Sequence, residues 1–176
     1  MENVYLAKYA ANGASTTCDS LGMRPMQARA YSQNSQHYLL IKAPPASGKS
    51  RALMYIALEK LKLGSVKKVI VAVPERSIAK SFANTNLKSS GFHTDWQIKS
   101  KYDLCSPGGD TGKVQLFLDF LNSDDSVLLC THSTLRFAFE KADISAFNDV
   151  LIAIDEFHHV SIHEDNQLGK LLRKVK

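Results

Sequence analysis

The sequence predicts an α/β fold with a mainly parallel, doubly wound sheet, and three observations carry that expectation. Four short runs, 38–41, 69–73, 127–130 and 150–154, are free of charge and rich in β-branched residues or Leu, as strands covered on both faces are. Between them lie segments whose apolar residues recur at helical spacing. Strand and helix in alternation require crossover connections, and these make neighbouring strands parallel. With 176 residues, 44% of them apolar, the chain can bury a core as one ordinary domain.

Residues 1–21, which end in the polar stretch AANGASTTCDS, read as an irregular lead-in with at most one helical turn, followed by a single domain over 22–176. MRPMQARAYSQN predicts a helix from near Pro25, a residue suited to a first helical position. After the run 38–41, residues 50–61 set Leu53, Ala57, Leu58 and Leu61 on one side of a helix. A shorter helical pattern covers 77–87, and Gly91, Pro107, Gly108 and Gly109 punctuate loops. Residues 113–121 place Phe117, Phe120 and Leu121 together, and 134–141 form the last short helical pattern before 150–154.

Composition narrows the function. No run approaches the roughly 18 consecutive apolar residues of a membrane span, and the start MENVYLAKYA has no signal-peptide core, so a soluble, cytoplasmic protein is expected. Cys18, Cys105 and Cys130 are odd in number and lack CxxC spacing, which suggests reduced thiols, with Cys130 buried. His132, His159 and His163 stand at no metal spacing with a cysteine, so no zinc is expected. The net charge of +5 is unevenly divided: residues 1–101 carry 15 Lys and Arg against 5 Asp and Glu, residues 102–176 carry 7 against 12. The basic half could face a polyanion, or simply be a solvated surface.

Directly after the run 38–41 comes Ala43-Pro44-Pro45-Ala46-Ser47-Gly48-Lys49-Ser50, the phosphate-loop pattern leading into a helix. The order follows from chemistry. A strand ends, small residues let backbone N–H groups turn around phosphates, and the positive end of a helix adds to the field. Gly48 allows close approach, Lys49 can reach the terminal phosphates, and the Ser50 hydroxyl can ligate Mg²⁺. Gly108-Gly-Asp-Thr-Gly-Lys-Val114 resembles this loop superficially, but Val114 offers no hydroxyl and no strand precedes it, so it reads as a surface turn.

The run 150–154 delivers Asp155-Glu156-Phe157-His158. Adjacent carboxylates at the end of a hydrophobic strand need a cation or water. With a phosphate loop upstream, Asp155 can hold Mg²⁺ through water and Glu156 can orient and deprotonate an attacking water. The alternative is a helix cap.

Ala43 to Ser50 together with Asp155-Glu156-Phe157-His158 resembles motifs I and II of superfamily 2 helicases and translocases of the DExH type. Arg24-Pro25-Met26-Gln27 resembles the R-P-x-Q adenine-recognition element of translocase and restriction-subunit branches. Pro74-Glu75-Arg76 resembles motif Ia, and Thr131-His132-Ser133-Thr134-Leu135 resembles the segment around motif Ib. The resemblance implies a three-layer α/β/α RecA-like domain that binds ATP and Mg²⁺ and acts on DNA or RNA as a nucleic-acid-dependent ATPase. It implies that Gln27 reads the adenine edge and that Pro45, Ala46, Ser47, Gly48, Lys49, Ser50 and Arg51 surround the nucleotide. It further implies that Arg76, Thr131, His132 and Thr134 meet the nucleic-acid backbone, and that His158 links the two sites.

The chain departs from the family pattern at Ala46, commonly Gly, and at Ser50 and Glu75, commonly Thr. No S-A-T motif follows, so the expectation is a first RecA-like domain that lacks its second and is nearly inactive alone. Other phosphate-loop NTPases, a small-molecule kinase and a non-enzymatic binding module are the competing readings.

Overall fold

The computed structural model describes residues 5–8, 18–106 and 112–157, the first four through their backbone only. Expectations for His158, His159, His163 and the 107–111 part of the second glycine-rich loop lie outside the described residues. Two compact units account for the chain: Met1–Leu63 with Asn84–Trp96, and Gly64–Ala83 with Gln97–Lys176.

In the first unit a two-stranded parallel sheet joins β1 (Tyr5–Lys8) to β2 (Leu39–Lys42), with Tyr5 opposite Leu39 and Lys8 opposite Lys42. The lead-in is therefore not wholly irregular. Its four strand residues, YLAK, have too little pattern to be told from a loop, and pairing with β2 decides their state. α1 (Pro25–Tyr31) starts with Pro25 in its first turn. It stops before the pattern does, because the Ser32 hydroxyl donates to Arg29 O at 2.8 Å and the Asn34 amide to Tyr31 O at 2.9 Å, local bonds that compete with another helical turn.

α2 (Lys49–Lys62) buries Ala52, Tyr55 and Ile56 but also Met54, Ala57 and Leu58, so it is covered around most of its girth. Met26 and Ala30 of α1 pack with Ala52 and Ile56 of α2, and Leu39, Ile41 and Ala43 close that cluster. β2 departs from the expected two-faced burial: Leu39 and Ile41 face the cluster, whereas Tyr38 and Leu40 are exposed.

Asn84–Trp96 returns to this unit as a strap. Thr85 and Trp96 exchange both backbone hydrogen bonds, at 2.9 and 3.0 Å, with Trp96 fully buried. Phe92 sets its ring edge-on to Tyr31 and Tyr55, and His93 Nε2 lies 3.2 Å from Glu59. The turn before α1 is tied down as well: Asp19 accepts from Leu21 N and Met23 N, and the Tyr55 hydroxyl donates to the carbonyls of Leu21 and Gly22.

Burial, a hydrogen bond to Glu59 and the charge of Glu59 push the Tyr31 phenol up to about 12. Because the neutral phenol is favoured in the folded state, its contribution to stability is complete below the ordinary tyrosine value of about 10 and is lost as pH rises toward 12. Denaturant titrations at rising pH should show stability falling across that window. Tyr31→Phe should flatten this part of the slope, and an unchanged slope would contradict the assignment.

The second unit holds a three-stranded parallel sheet in the order β4 (Val127–Thr131), β3 (Lys68–Val73), β5 (Val150–Ile154). Ile70 of β3 stands opposite both Leu128 and Ile152, in the parallel register that crossover connections impose. One face of the sheet, carrying Ile70, Ala72, Leu128 and Cys130, packs against Phe117 and Phe120 of α3 (Lys113–Leu121) and Leu135 and Ala138 of α4 (His132–Lys141). Burying a Phe or Leu side chain in such a core contributes about 1.5–3 kcal/mol.

The expected helix over 77–87 is only a 3₁₀ turn, Ile78–Phe82. The Ser81 hydroxyl bonds back to Ile78 O at 2.7 Å, and the polar Asn84-Thr85-Asn86 that follows suits a turn better than a helix. Below the sheet, the Lys68 ammonium donates to the carbonyls of Ser123 and Asp125, and Lys99 and Lys101 pair with the Asp125 carboxylate. No cysteine is in a disulfide, as the spacing suggested; Cys105 and Cys130 are buried and Cys18 is exposed. No described helix is long and apolar enough to cross a membrane.

Candidate functional site

In the first unit β2 ends at Lys42 and α2 begins at Lys49, so the phosphate-loop residues form the whole connection. Ala46 (φ +58°) and Gly48 (φ +87°) both take the left-handed conformation, which curls the backbone around Ser47. Left-handed backbone is costly for a residue with a Cβ, so Ala46 carries strain at the position where Gly is common. Backbone strain of this kind concentrates at ligand sites.

The loop carbonyls are held by side chains. The Lys49 ammonium donates to Ala43 O at 3.1 Å and to Pro44 O at 3.4 Å, and Ser47 N donates to the same Pro44 O at 3.4 Å. Gln27 Nε2 donates to Gly48 O at 3.1 Å, and Arg24 Nη1 reaches Ala46 O at 3.5 Å. Gln27 Oε1 in turn accepts from Arg24 N at 2.8 Å. Gln27 is thus no surface residue: it is 2% exposed, and both halves of its amide are engaged. A Cβ at position 48 would stand 2.4 Å from Gln27 Nε2, so this clasp depends on glycine there.

Ser50 is half-buried in the first turn of α2, while Pro45 and Arg51 are exposed. The Ser47 hydroxyl is buried, with no hydrogen-bond partner among the described residues.

In the second unit Asp155 N donates to Ala72 O at 2.9 Å, which extends the ladder one residue past β5 and fixes where the acidic pair begins. Glu156 follows with φ +51°, left-handed and non-glycine. Asp155 and Glu156 are half-buried and Phe157 is exposed. The Thr131-His132-Ser133-Thr134 segment lies beside them. His132 Nε2–H donates to the main-chain carbonyl of Asp155 at 3.1 Å, and Thr131 Oγ1 caps α4 by accepting from Thr134 N at 3.2 Å.

The Thr131 and Thr134 hydroxyls are 3.0 Å apart, and Thr134 is buried. Arg76 is exposed just beyond β3. Burial pushes the Cys105 thiol up to about 11, with Asp103 adding to the rise and the cations of Lys113 and Arg76 opposing it.

The structure therefore joins Gln27 and Arg24 to the phosphate loop in one unit, and His132 to Asp155 in the other. Neither contact could be read from spacing, since 21 and 23 residues separate the partners. Arg24 was expected only as part of a motif, and the structure gives it a contact of its own. Among the described residues no group of three or more His, Cys, Asp or Glu is placed to hold a metal ion by itself.

The model of the DEAD/DEAH box helicase family matches residues 24–176. The chain belongs to the DEAD/DEAH box helicase family. It is also 56% identical over 175 residues to the "Putative ATP-dependent helicase YeeB" of Bacillus subtilis strain 168, an alignment that covers 99% of this chain and 29% of that protein. No solved structure matches the chain. The stretches that carry the sequence resemblance fall at strand ends: the loop after β2, Pro74-Glu75-Arg76 after β3, Thr131-His132 at the end of β4 and Asp155-Glu156 after β5. Strand carboxyl ends are where parallel α/β sheets bind ligands.

Proposed function

We propose that this chain is the ATP-binding first motor domain of a DExH-type superfamily 2 helicase or translocase that acts on DNA or RNA. The observation that carries the reading is the phosphate loop between β2 and α2, with its curled backbone and the Lys49 ammonium bonded, among the described residues, to carbonyls of its own loop. An ammonium in that position exchanges carbonyl partners for anionic phosphoryl oxygens, which form stronger charge-assisted bonds. The buried Ser47 hydroxyl without a partner and the strained Ala46 fit a loop made to receive an anion.

The chain's own residues divide the work. Lys49 holds the terminal phosphates and the N–H groups at the start of α2 face them. Gln27 would recognise the adenine edge with the second N–H and second lone pair that its amide keeps beyond the bonds to Gly48 O and from Arg24 N. The resemblance assigns Mg²⁺ to the Ser50 hydroxyl and the Asp155 carboxylate, and the ion when bound would neutralise charge on the phosphates. Glu156 orients the attacking water and takes its proton. Arg76, Thr131, His132 and Thr134 engage the sugar-phosphate backbone, contacts that position a strand without reading its sequence. The chain spans 29% of its relative's length; the reading takes a second RecA-like domain as partner, as the resemblance implies, and adds a cytoplasmic setting.

Titrating the chain with a fluorescent ATP analogue, with Mg²⁺ and then with EDTA, tests the first half of this reading. Saturable binding that weakens on chelation is expected. Labelled single-stranded DNA and RNA at several salt concentrations test the second half, where affinity should fall steadily with salt. Absence of nucleotide binding at high protein concentration would overturn the assignment.

A further inference from the structure

We propose that the strap Asn84–Trp96 is a positioning clamp for Gln27: it fixes the placement of α1 on α2, and that placement sets how strongly the chain prefers adenine to other bases. This deepens the nucleotide-binding reading above and rests on it.

The need for a clamp follows from where the amide sits. Gln27 belongs to α1, while the carbonyl that takes its N–H is Gly48 O, at the N-cap of α2. Both halves of the amide are engaged and the residue is 2% exposed, so it has no freedom to re-aim by rotation. The placement of α1 on α2 therefore decides where its remaining N–H and lone pair point. A paired donor and acceptor tell adenine from guanine by their order along the base edge, and such bonds weaken steeply once their geometry slips.

The strap holds both helices at once. The Phe92 ring centre lies 6.1 Å from that of Tyr31 on α1 and 4.8 Å from that of Tyr55 on α2, edge-on to each. His93 Nε2 lies 3.2 Å from the Glu59 carboxylate of α2. The same carboxylate accepts from the Tyr31 hydroxyl, which closes a relay from strap to α2 to α1. Tyr31 follows Gln27 by four residues, about one turn along the helix.

The other end of α1 is pressed as well. A Cβ on Gly22 would stand 2.3 Å from Ser90 Cβ, and one on Gly91 would stand 2.2 Å from Ser20 O. The strap thus lies directly against the turn that leads into Arg24 and Gln27. The phosphate loop has its own bonds, from Lys49 to Ala43 O and Pro44 O, so loosening the clamp is felt at the base and little at the phosphates.

The test uses the 176-residue chain, its variants His93→Ala, His93→Gln and Tyr31→Phe, and the same changes in a Gln27→Ala background. Calorimetry gives affinities for ATP, GTP and inorganic tripolyphosphate, each with Mg²⁺. His93→Ala and Tyr31→Phe break the relay from opposite sides. Each is expected to weaken ATP about fivefold and to leave GTP and tripolyphosphate within about twofold. His93→Gln, whose amide can still donate to Glu59, should restore ATP affinity. With Gln27→Ala present the same changes should have no further effect, because losses that run through one residue do not add. Tyr31→Phe keeps its ring against Phe92, so it reads the relay even where His93→Ala impairs folding.

Equal weakening toward ATP and tripolyphosphate, or further loss on top of Gln27→Ala, would overturn the proposal, since either marks a merely structural role. If the unmodified chain binds ATP no better than GTP, the adenine reading itself falls and this inference with it. A clear preference for ATP that ignores both His93→Ala and Tyr31→Phe removes the inference alone.

Discussion

Lys49→Ala should weaken ATP binding by more than about a hundredfold while leaving the fold nearly as stable as before. The two effects separate because of where the ammonium rests. Bound to a nucleotide, Lys49 would supply charge-assisted bonds to anionic oxygens in a half-enclosed loop, each contributing about 1.5–3 kcal/mol. Without nucleotide it holds, among the described residues, the carbonyls of Ala43 and Pro44, at 3.1 and 3.4 Å in a half-buried loop, and water can replace it there for less than about 1 kcal/mol. Equilibrium binding and denaturant unfolding of the same preparation read both quantities. Binding within threefold of the unmodified chain would remove Lys49 from the site. A large loss of stability would show that the ammonium holds the loop together rather than waiting for a phosphate.

The largest effect on stability is expected from Gly91→Ala. Gly91 has φ +96°, and a Cβ there would stand 2.2 Å from the main-chain oxygen of Ser20. The left-handed conformation alone costs a non-glycine residue about 1–2 kcal/mol. The contact adds more, because the atom in the way is backbone and the turn it belongs to is pinned by Asp19 and Tyr55. A total of about 3 kcal/mol is expected, which lowers the melting temperature of a chain this size by roughly 10 °C.

Gly64 is the internal control. Its φ is +69° and a Cβ would meet nothing within 4 Å, so Gly64→Ala should cost only the conformational part. Measured side by side, Gly91→Ala must be clearly worse. Equal losses would mean that the strap does not press on the turn before α1.

What could be read in the sequence was what short-range physics determines. The runs at 69–73, 127–130 and 150–154 are continuous and apolar, and each is a strand of the parallel sheet. The phosphate loop was legible because its chemistry needs strand, small residues, Lys and helix in that order, and β2, Lys49 and α2 supply them. β1 was not legible, since YLAK becomes a strand only through its partner, and 77–87 looked helical until the polar residues at 84–86 asserted turn preferences.

At the candidate site the residue types were legible and their contacts were not. Nothing in the order of residues says that Gln27 is buried against Gly48 O, or that the left-handed positions fall on Ala46 and Glu156 rather than on glycines. Those follow from closing the chain over a distance, where tertiary context overrides local preference.

The bond from His132 to Asp155 ends on a carbonyl oxygen, not on the carboxylate. A peptide oxygen is common to all twenty amino acids, so this bond makes no demand on which side chain occupies position 155. This one bond therefore belongs to the main chain, and Asp155→Asn leaves its acceptor in place.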